Sequence, residues 1–267
     1  MERRIDIAFS PCPNDTFMFH ALVHGAIDVR GWRFDAHIAD VEELNRAALA
    51  ARFPVSKLSA AAYLRVKDAY AILDTGAALG FGCGPLVVSR EARSRIDGMT
   101  VAVPGEHTTA HLLFRLWCDG ETRVVTARYD EIMPGVADGR FDAGVIIHEG
   151  RFVYPAYGLV KVVDLGEWWE RETGGPIPLG CVAARRIDID DAARCDLETL
   201  LRASIDHGMR NPAASRGFIR AHAQEMDDGV IDRHIALYVN EFSRSLGDAG
   251  RRAIDVLESR ARERGLL

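Results

Sequence analysis

The side chain best placed to do chemistry is His148, the first polar residue after Gly144-Val-Ile-Ile147. That run, within Phe141-Asp-Ala-Gly-Val-Ile-Ile-His-Glu-Gly-Arg-Phe152, reads as a short buried strand. In an open α/β sheet the loops at the carboxyl ends of strands line the ligand crevice. An imidazole there is a candidate acid or base, since an unperturbed pKa of about 6.5 leaves much of it neutral and able to accept a proton. A histidine that only closes a strand and hydrogen-bonds backbone gives the same pattern. Glu149 follows it and, if the strand pattern continues, points to the opposite side.

Other candidates stand at strand-to-helix junctions. In Ser10-Pro-Cys-Pro-Asn-Asp-Thr-Phe17 two prolines stiffen a turn, and Asn14, Asp15 and Thr16 are helix-capping types before a helix predicted over 17–24. A helix amino terminus aimed at the sheet edge offers N–H groups to anions and carbonyl oxygens. Cys12 there is a candidate thiolate, but no base accompanies it, and a small apolar residue under the turn is the preferred reading. Ser56, Lys57 and Ser59 lie where Phe53–Ser59 leads into a helix over 60–66. Lys57 in that position either pairs with a carboxylate or stands in solvent. Thr108 and Thr109 open a helix over 111–117, where hydroxyls and exposed N–H groups suit a carboxylate or act as plain caps. His107 and His111 are four apart, but without the Glu of HExxH or a third ligand no metal site is expected.

The elements that must position these residues form two α/β patterns. The first has strands over 5–9, 32–38 and 70–73, with a helix from an Asp40 cap to about residue 51. The glycine-dense loop Asp74–Gly84 holds neither GxxxxGKS/T nor GxGxxG, so no nucleotide motif is present. Apolar Pro85–Ser89 and polar 90–97 read as a connection out of this unit. A second pattern then begins, with strands over 100–103, 124–126, 143–147 and 159–163 and helices over 111–117, 130–137 and 164–173. Strand, helix and strand in this order are βαβ units. Gly174–Gly180, with two glycines and two prolines, reads as a stiff irregular return to the first unit, followed by a strand over 181–184. The tail reads as three helices, marked by Leu197, Leu200, Leu201 and Ile205, then by Val230, Ile231, Ile235, Tyr238, Val239 and Phe242, then by Ala253, Ile254, Leu257 and Ala261 with Asp248 as cap. Two lobes joined by two crossings imply a cleft that closes around a small ligand.

Composition narrows the function classes. At 267 residues, 48% hydrophobic and 27% charged, the chain has a globular core. Net charge is −6 and the basic residues are dispersed among acids, so nucleic-acid binding is not indicated. No apolar run approaches the roughly 20 residues of a membrane span. No signal segment precedes the first strand, and the five cysteines form no CxxC pair, so a cytoplasmic location is expected.

The residues also carry a family resemblance. Ser10–Phe17, Lys57-Leu-Ser59, Val103-Pro-Gly-Glu-His-Thr-Thr-Ala110 and Ile146-Ile-His-Glu-Gly-Arg-Phe152 resemble the 1,4-dihydroxy-6-naphthoate synthase family of the futalosine route to menaquinone. Val163-Asp-Leu-Gly-Glu-Trp-Trp169, Pro176-Ile-Pro-Leu-Gly180 and Ala221-His-Ala-Gln-Glu225 extend the likeness over nearly the whole chain. The resemblance implies an α/β, two-lobed, periplasmic-binding-protein-like fold of the second type with a helical C-terminal tail. The larger lobe is expected over 1–90 and 182–267, the smaller over 91–181. It implies a lyase that breaks cyclic dehypoxanthine futalosine to 1,4-dihydroxy-6-naphthoate without metal or organic cofactor. Lys57, Leu58 and Ser59 would then line the substrate site, Thr109 and Ala110 would bind it, and His148 would be the proton acceptor. Thr108, Asn14, Asp15 and Thr16 complete the expected set. Two alternatives stand beside this. One is the chorismate dehydratase of the same pathway, against which the Ser10 block and Ile147-His148-Glu149 argue. The other is a solute-binding protein without catalysis, against which the lack of an export signal weighs.

Overall fold

The computed structural model describes residues 3–93, 95–224 and 227–267, so Glu225 of the 221–225 motif and Ser94 of the 90–97 connection lie outside it. Its first half runs β1 (Arg3–Phe9), α1 (Pro13–Val23), β2 (Trp32–Ile38), α2 (Val41–Leu49), β3 (Val55–Ser59), α3 (Ala60–Val66), β4 (Tyr70–Ile72) and β5 (Ala78–Gly80). A second group follows: β6 (Leu86–Ser89), β7 (Thr100–Val103), α4 (Thr109–Trp117), β8 (Arg123–Thr126), α5 (Tyr129–Ala137), β9 (Ala143–Ile146), α6 (Gly150–Val153), β10 (Val160–Asp164) and α7 (Leu165–Thr173). The chain then enters β11 (Ile177–Arg185) and the helices α8 (Asp191–Arg210), α9 (Arg216–His222), α10 (Asp228–Tyr238), α11 (Glu241–Arg244) and α12 (Gly247–Glu263).

Two sheets result. One has the order β2-β1-β3-β11-β4, with β5 also on β11; the other is β10-β6-β9-β7-β8. Within the first, β1 is parallel to β2 and β3, while β11 returns antiparallel to β3. β6 therefore belongs to the second sheet and β11, from Ile177, to the first. The crossings lie at 81–85 and 174–176, earlier than the expected 90/91 and 181/182. Most of the stretch 174–180 is strand rather than irregular connector, because its alternate groups complete the ladder with β5 and β3.

Three local differences from the sequence reading have physical causes. Phe53–Ser59 reads only as a short segment leading into a helix, yet all five residues of β3 are buried, its edges paired with β1 and β11 and helices α2 and α3 packed against it. Alternation gives no signal where both faces are covered. Helix α1 starts at Pro13, so Asn14, Asp15 and Thr16 occupy its first turn instead of preceding it. Proline suits that first position, where its missing N–H has no intrahelical partner anyway. Helix α12 likewise begins at Gly247, which puts Asp248 in the first turn and not at the cap.

The tail locks onto the first lobe. The Ser204 hydroxyl donates to Met18 O at 2.6 Å and accepts from Leu22 N at 3.0 Å, tying α8 to α1. The apolar stripes of α8 and α12, from Leu197 to Ile205 and from Ala253 to Ala261, are buried as their spacing predicts. None of the described helices is long and apolar enough to cross a membrane.

At the first crossing, backbone meets backbone. A Cβ placed on Gly84 would lie 2.2 Å from Gly166 N, and one on Gly166 would lie 2.7 Å from Gly84 N. Arg151 clamps the same point, donating to Gly84 O at 2.6 Å and to Asp164 Oδ2 at 2.7 Å. Gly84→Ala is expected to cost about 1–3 kcal/mol through overpacking that no side-chain movement relieves. Gly217→Ala, in α9 with open space around it, is expected to be neutral or to stabilise by up to about 1 kcal/mol. Paired thermal unfolding of the two variants checks this, and equal melting temperatures would contradict it.

Candidate active site

A cleft between the two sheets gathers most of the residues singled out in the sequence. Its walls include Ser10, Asn14 and Asp15 from the β1–α1 junction and Lys57, Leu58 and Ser59 from β3. Thr108, Thr109 and Ala110 come from the start of α4, His148 from the end of β9, and His234 and Tyr238 from α10. Thr16 is absent from the walls: it is fully buried and its hydroxyl is turned back onto Cys12 O and Pro13 O.

The floor is a buried ion pair. Lys57 Nζ lies 2.8 Å from Asp15 Oδ1 and donates to Gly76 O at 2.9 Å. Asp15 also accepts from the Ser10 hydroxyl at 2.6 Å and from Asn14 Nδ2 at 2.9 Å. The Lys57 ammonium thus has both a carboxylate and a carbonyl as partners. Ser59 is held in the same way by Asn45, which donates to the Ser59 hydroxyl at 3.0 Å and accepts from Ser59 N at 2.9 Å.

At α4 the hydroxyls are spoken for and the backbone is not. Thr108 caps the helix, accepting from His111 N and donating to Gly105 O. Thr109 bridges the lobes: its hydroxyl donates to Leu179 O of β11 at 2.7 Å and accepts from Ala61 N of α3 at 3.1 Å. The N–H groups of Thr109 and Ala110, in the first turn, have no intrahelical acceptor, and both residues line the cleft, where an anion would meet the positive end of the helix. A further bridge, His107 N to Glu42 Oε2 at 3.0 Å, holds the lobes closed beside it.

His148 has φ +57°, a left-handed conformation uncommon for a non-glycine residue and enriched at functional turns. Its ring stands edge-on to Tyr129, with centroids 5.2 Å apart, and 6.4 Å from that of His234. Its Nε2 is buried and has no hydrogen-bond partner among the described residues. Burial pushes its pKa down to about 4, against an upward pull from Asp40 and Asp15 and with a smaller downward push from Lys57. At neutral pH it is therefore an uncharged imidazole with a bare nitrogen. Glu149 is directed elsewhere, its Oε2 3.9 Å from His234 Nδ1.

Burial, with the nearby Glu149 and Asp15 carboxylates, pushes the Cys12 thiol well up, which disfavours a thiolate there. His107 and His111 do not gather with a third ligand; among the described residues no group of three His, Cys, Asp or Glu side chains could hold a metal ion. Sequence reading missed Asn45, His234 and Tyr238. Asn45 and His234 did carry a signal: each is a polar residue on the apolar stripe of its helix, and both are fully buried.

The chain matches the model of the menaquinone biosynthesis family over residues 5–263. It is 49% identical over 260 residues to a 1,4-dihydroxy-6-naphthoate synthase of Thermus thermophilus, covering 97% of this chain and 94% of that protein. To the Streptomyces coelicolor enzyme of the same name it is 48% identical, covering 98% and 94%. The crystal structure of an Archaeoglobus fulgidus protein superposes with a TM-score of 0.94 at 35% identity, covering 99% of this chain and 98% of that one. An alkanesulfonate-binding protein of Xanthomonas axonopodis superposes with a TM-score of 0.78 at 12% identity, covering 100% and 95%. That last likeness shows the fold, the periplasmic-binding-protein-like architecture with its two lobes.

The Thr109 bridge generates a prediction about closure. Thr109→Val leaves Leu179 O and Ala61 N without their partner, and a buried group so orphaned costs about 1–3 kcal/mol. The unliganded equilibrium is expected to move toward an open form by roughly 5- to 150-fold, whereas Thr109→Ser keeps the bridge. Small-angle scattering should show a larger radius of gyration for the valine variant alone. Identical profiles for all three proteins would sink the assignment of Thr109 as a lobe pin.

Proposed function

We propose that this chain, which belongs to the menaquinone biosynthesis family, breaks cyclic dehypoxanthine futalosine to 1,4-dihydroxy-6-naphthoate with His148 as the general base. Its relatives make it an enzyme of menaquinone biosynthesis; the substrate and the base are the proposal. The observation that carries it is the bare, buried Nε2 of a neutral His148 in the same cleft as the open first turn of α4.

The naphthoate product bears a carboxylate. The Thr109 and Ala110 N–H groups hold that carboxylate, so the substrate is anchored by backbone instead of by the two threonine hydroxyls. His148 removes a proton from the anchored substrate, the sugar-derived fragment is expelled and the ring becomes aromatic. Lys57 acts through Asp15, and Ser59 is fixed by Asn45, so both shape the wall. Closing the lobes excludes water, which protects the base and strengthens each polar contact inside.

Purified protein offered cyclic dehypoxanthine futalosine and chorismate should consume only the first. His148→Asn should lower single-turnover rate by about 10²–10⁴-fold while substrate affinity stays within a few-fold. The neutral imidazole is the active form, and it is lost as pH falls through its pKa. A pKa depressed to about 4 therefore places the acid limb of kcat/KM well below the ordinary histidine value of about 6.5. A near-normal rate in His148→Asn, or an acid limb at or above pH 6.5 in the wild type, would remove His148 from this role.

A further inference from the structure

We infer that His234 is a second imidazole contact of the bound substrate, a positioning residue whose Nδ1 accepts a hydrogen bond from a substrate hydroxyl. The inference rests on the proposed substrate and deepens it.

A chain of bonds fixes the histidine's tautomer. Asp15, an acceptor, takes the Asn14 amide NH2 at 2.9 Å, so the Asn14 carbonyl must be the atom facing His234 Nε2, also at 2.9 Å. A carbonyl cannot donate, and so Nε2 carries the proton and Nδ1 is left as a bare lone pair. The residue is fully buried and lines the cleft, with its ring 4.6 Å from Tyr238 and 6.4 Å from His148. Nδ1 has no hydrogen-bond partner among the described residues. Glu149 Oε2 at 3.9 Å is beyond hydrogen-bond range. Charging the ring is opposed by burial and by His148, so His234 stays neutral and acts as an acceptor.

A buried acceptor without a partner is an uncommon feature that a ligand can satisfy. The needed partner is a hydroxyl, because a carboxylate brings only another acceptor. A sugar-derived substrate supplies hydroxyls, and the carboxylate is already provided for at α4. Two opposed imidazoles would then divide the work, His148 taking the proton and His234 fixing where the sugar-derived part sits.

The test measures substrate affinity in a His148→Asn background, where turnover is slowed by about 10²–10⁴-fold. His234→Phe keeps an aromatic ring against Tyr238 but removes the acceptor, and should weaken affinity by roughly 5- to 100-fold. His234→Asn, whose Oδ1 stands where Nδ1 stood, should recover most of that loss. A residue that served folding alone would show the same affinity in both. In parallel, the ¹⁵N resonance of His234 Nδ1 in the His148→Asn protein should begin in the unprotonated range and move toward the protonated range on saturation with cyclic dehypoxanthine futalosine. Unchanged affinity in His234→Phe, or an Nδ1 resonance unmoved at saturation, overturns the inference. If the wild-type protein consumes no cyclic dehypoxanthine futalosine, the proposed function falls; if it does consume it while affinity and the Nδ1 resonance are unmoved, only the role of His234 falls.

Discussion

The Asp15–Lys57 ion pair is the constraint on which the site depends. Both side chains are almost fully buried, and each charge is supported by further polar partners. Ser10 and Asn14 complete the carboxylate and Gly76 O completes the ammonium. Replacing either partner alone would leave an uncompensated buried charge, at a cost of about 3–5 kcal/mol. The pair also ties the first turn of α1 to the centre of the first sheet. Through Asn14 it fixes the orientation of His234, so a stabilising contact in the larger lobe sets the chemistry of a group in the cleft wall.

Closure and basicity are coupled in this architecture. The Thr109 and Glu42 bridges bring the lobes together around His148, and the resulting loss of water is what lowers its pKa. A base made weaker by desolvation is nonetheless fully in its active form at neutral pH. An anionic ligand in the cleft acts in the same sense as Asp40 and Asp15, raising proton affinity as it binds. In the role proposed for it, His148 is thus a weak base in the empty cleft and a stronger one when the cleft is occupied.

Much of this was legible in the sequence. The strands over 32–38 and 100–103, the apolar stripes of the tail and the junctions carrying Asn14, Lys57, Thr109 and His148 follow from periodicity and turn chemistry, and the cleft does bring those junctions together. What escaped is instructive. The bounds of β3 were hidden because burial on both faces erases alternation, and the return strand from Ile177 because glycine and proline mimic a loop. Thr108 is the plain cap that the sequence allowed, but the bridging role of Thr109 was hidden as well. Whether a hydroxyl points at a ligand or bridges two lobes is decided by Ala61 and Leu179, which lie far away in the chain.

The same architecture serves a protein named as an alkanesulfonate binder, at an identity too low to carry function across. The contrast clarifies what a two-lobed binding fold must add to become a catalyst. Anchoring an anion needs only an exposed helix terminus, the part proposed for α4. Catalysis needs a nitrogen held out of water with nothing to satisfy it until the substrate arrives. Here a strand ends, the next residue adopts a left-handed turn, and its imidazole is left unpartnered in the cleft wall. The ionic floor beneath that wall satisfies its own charges through Ser10, Asn14 and Gly76, while His148 Nε2 and His234 Nδ1 stay unpartnered above it.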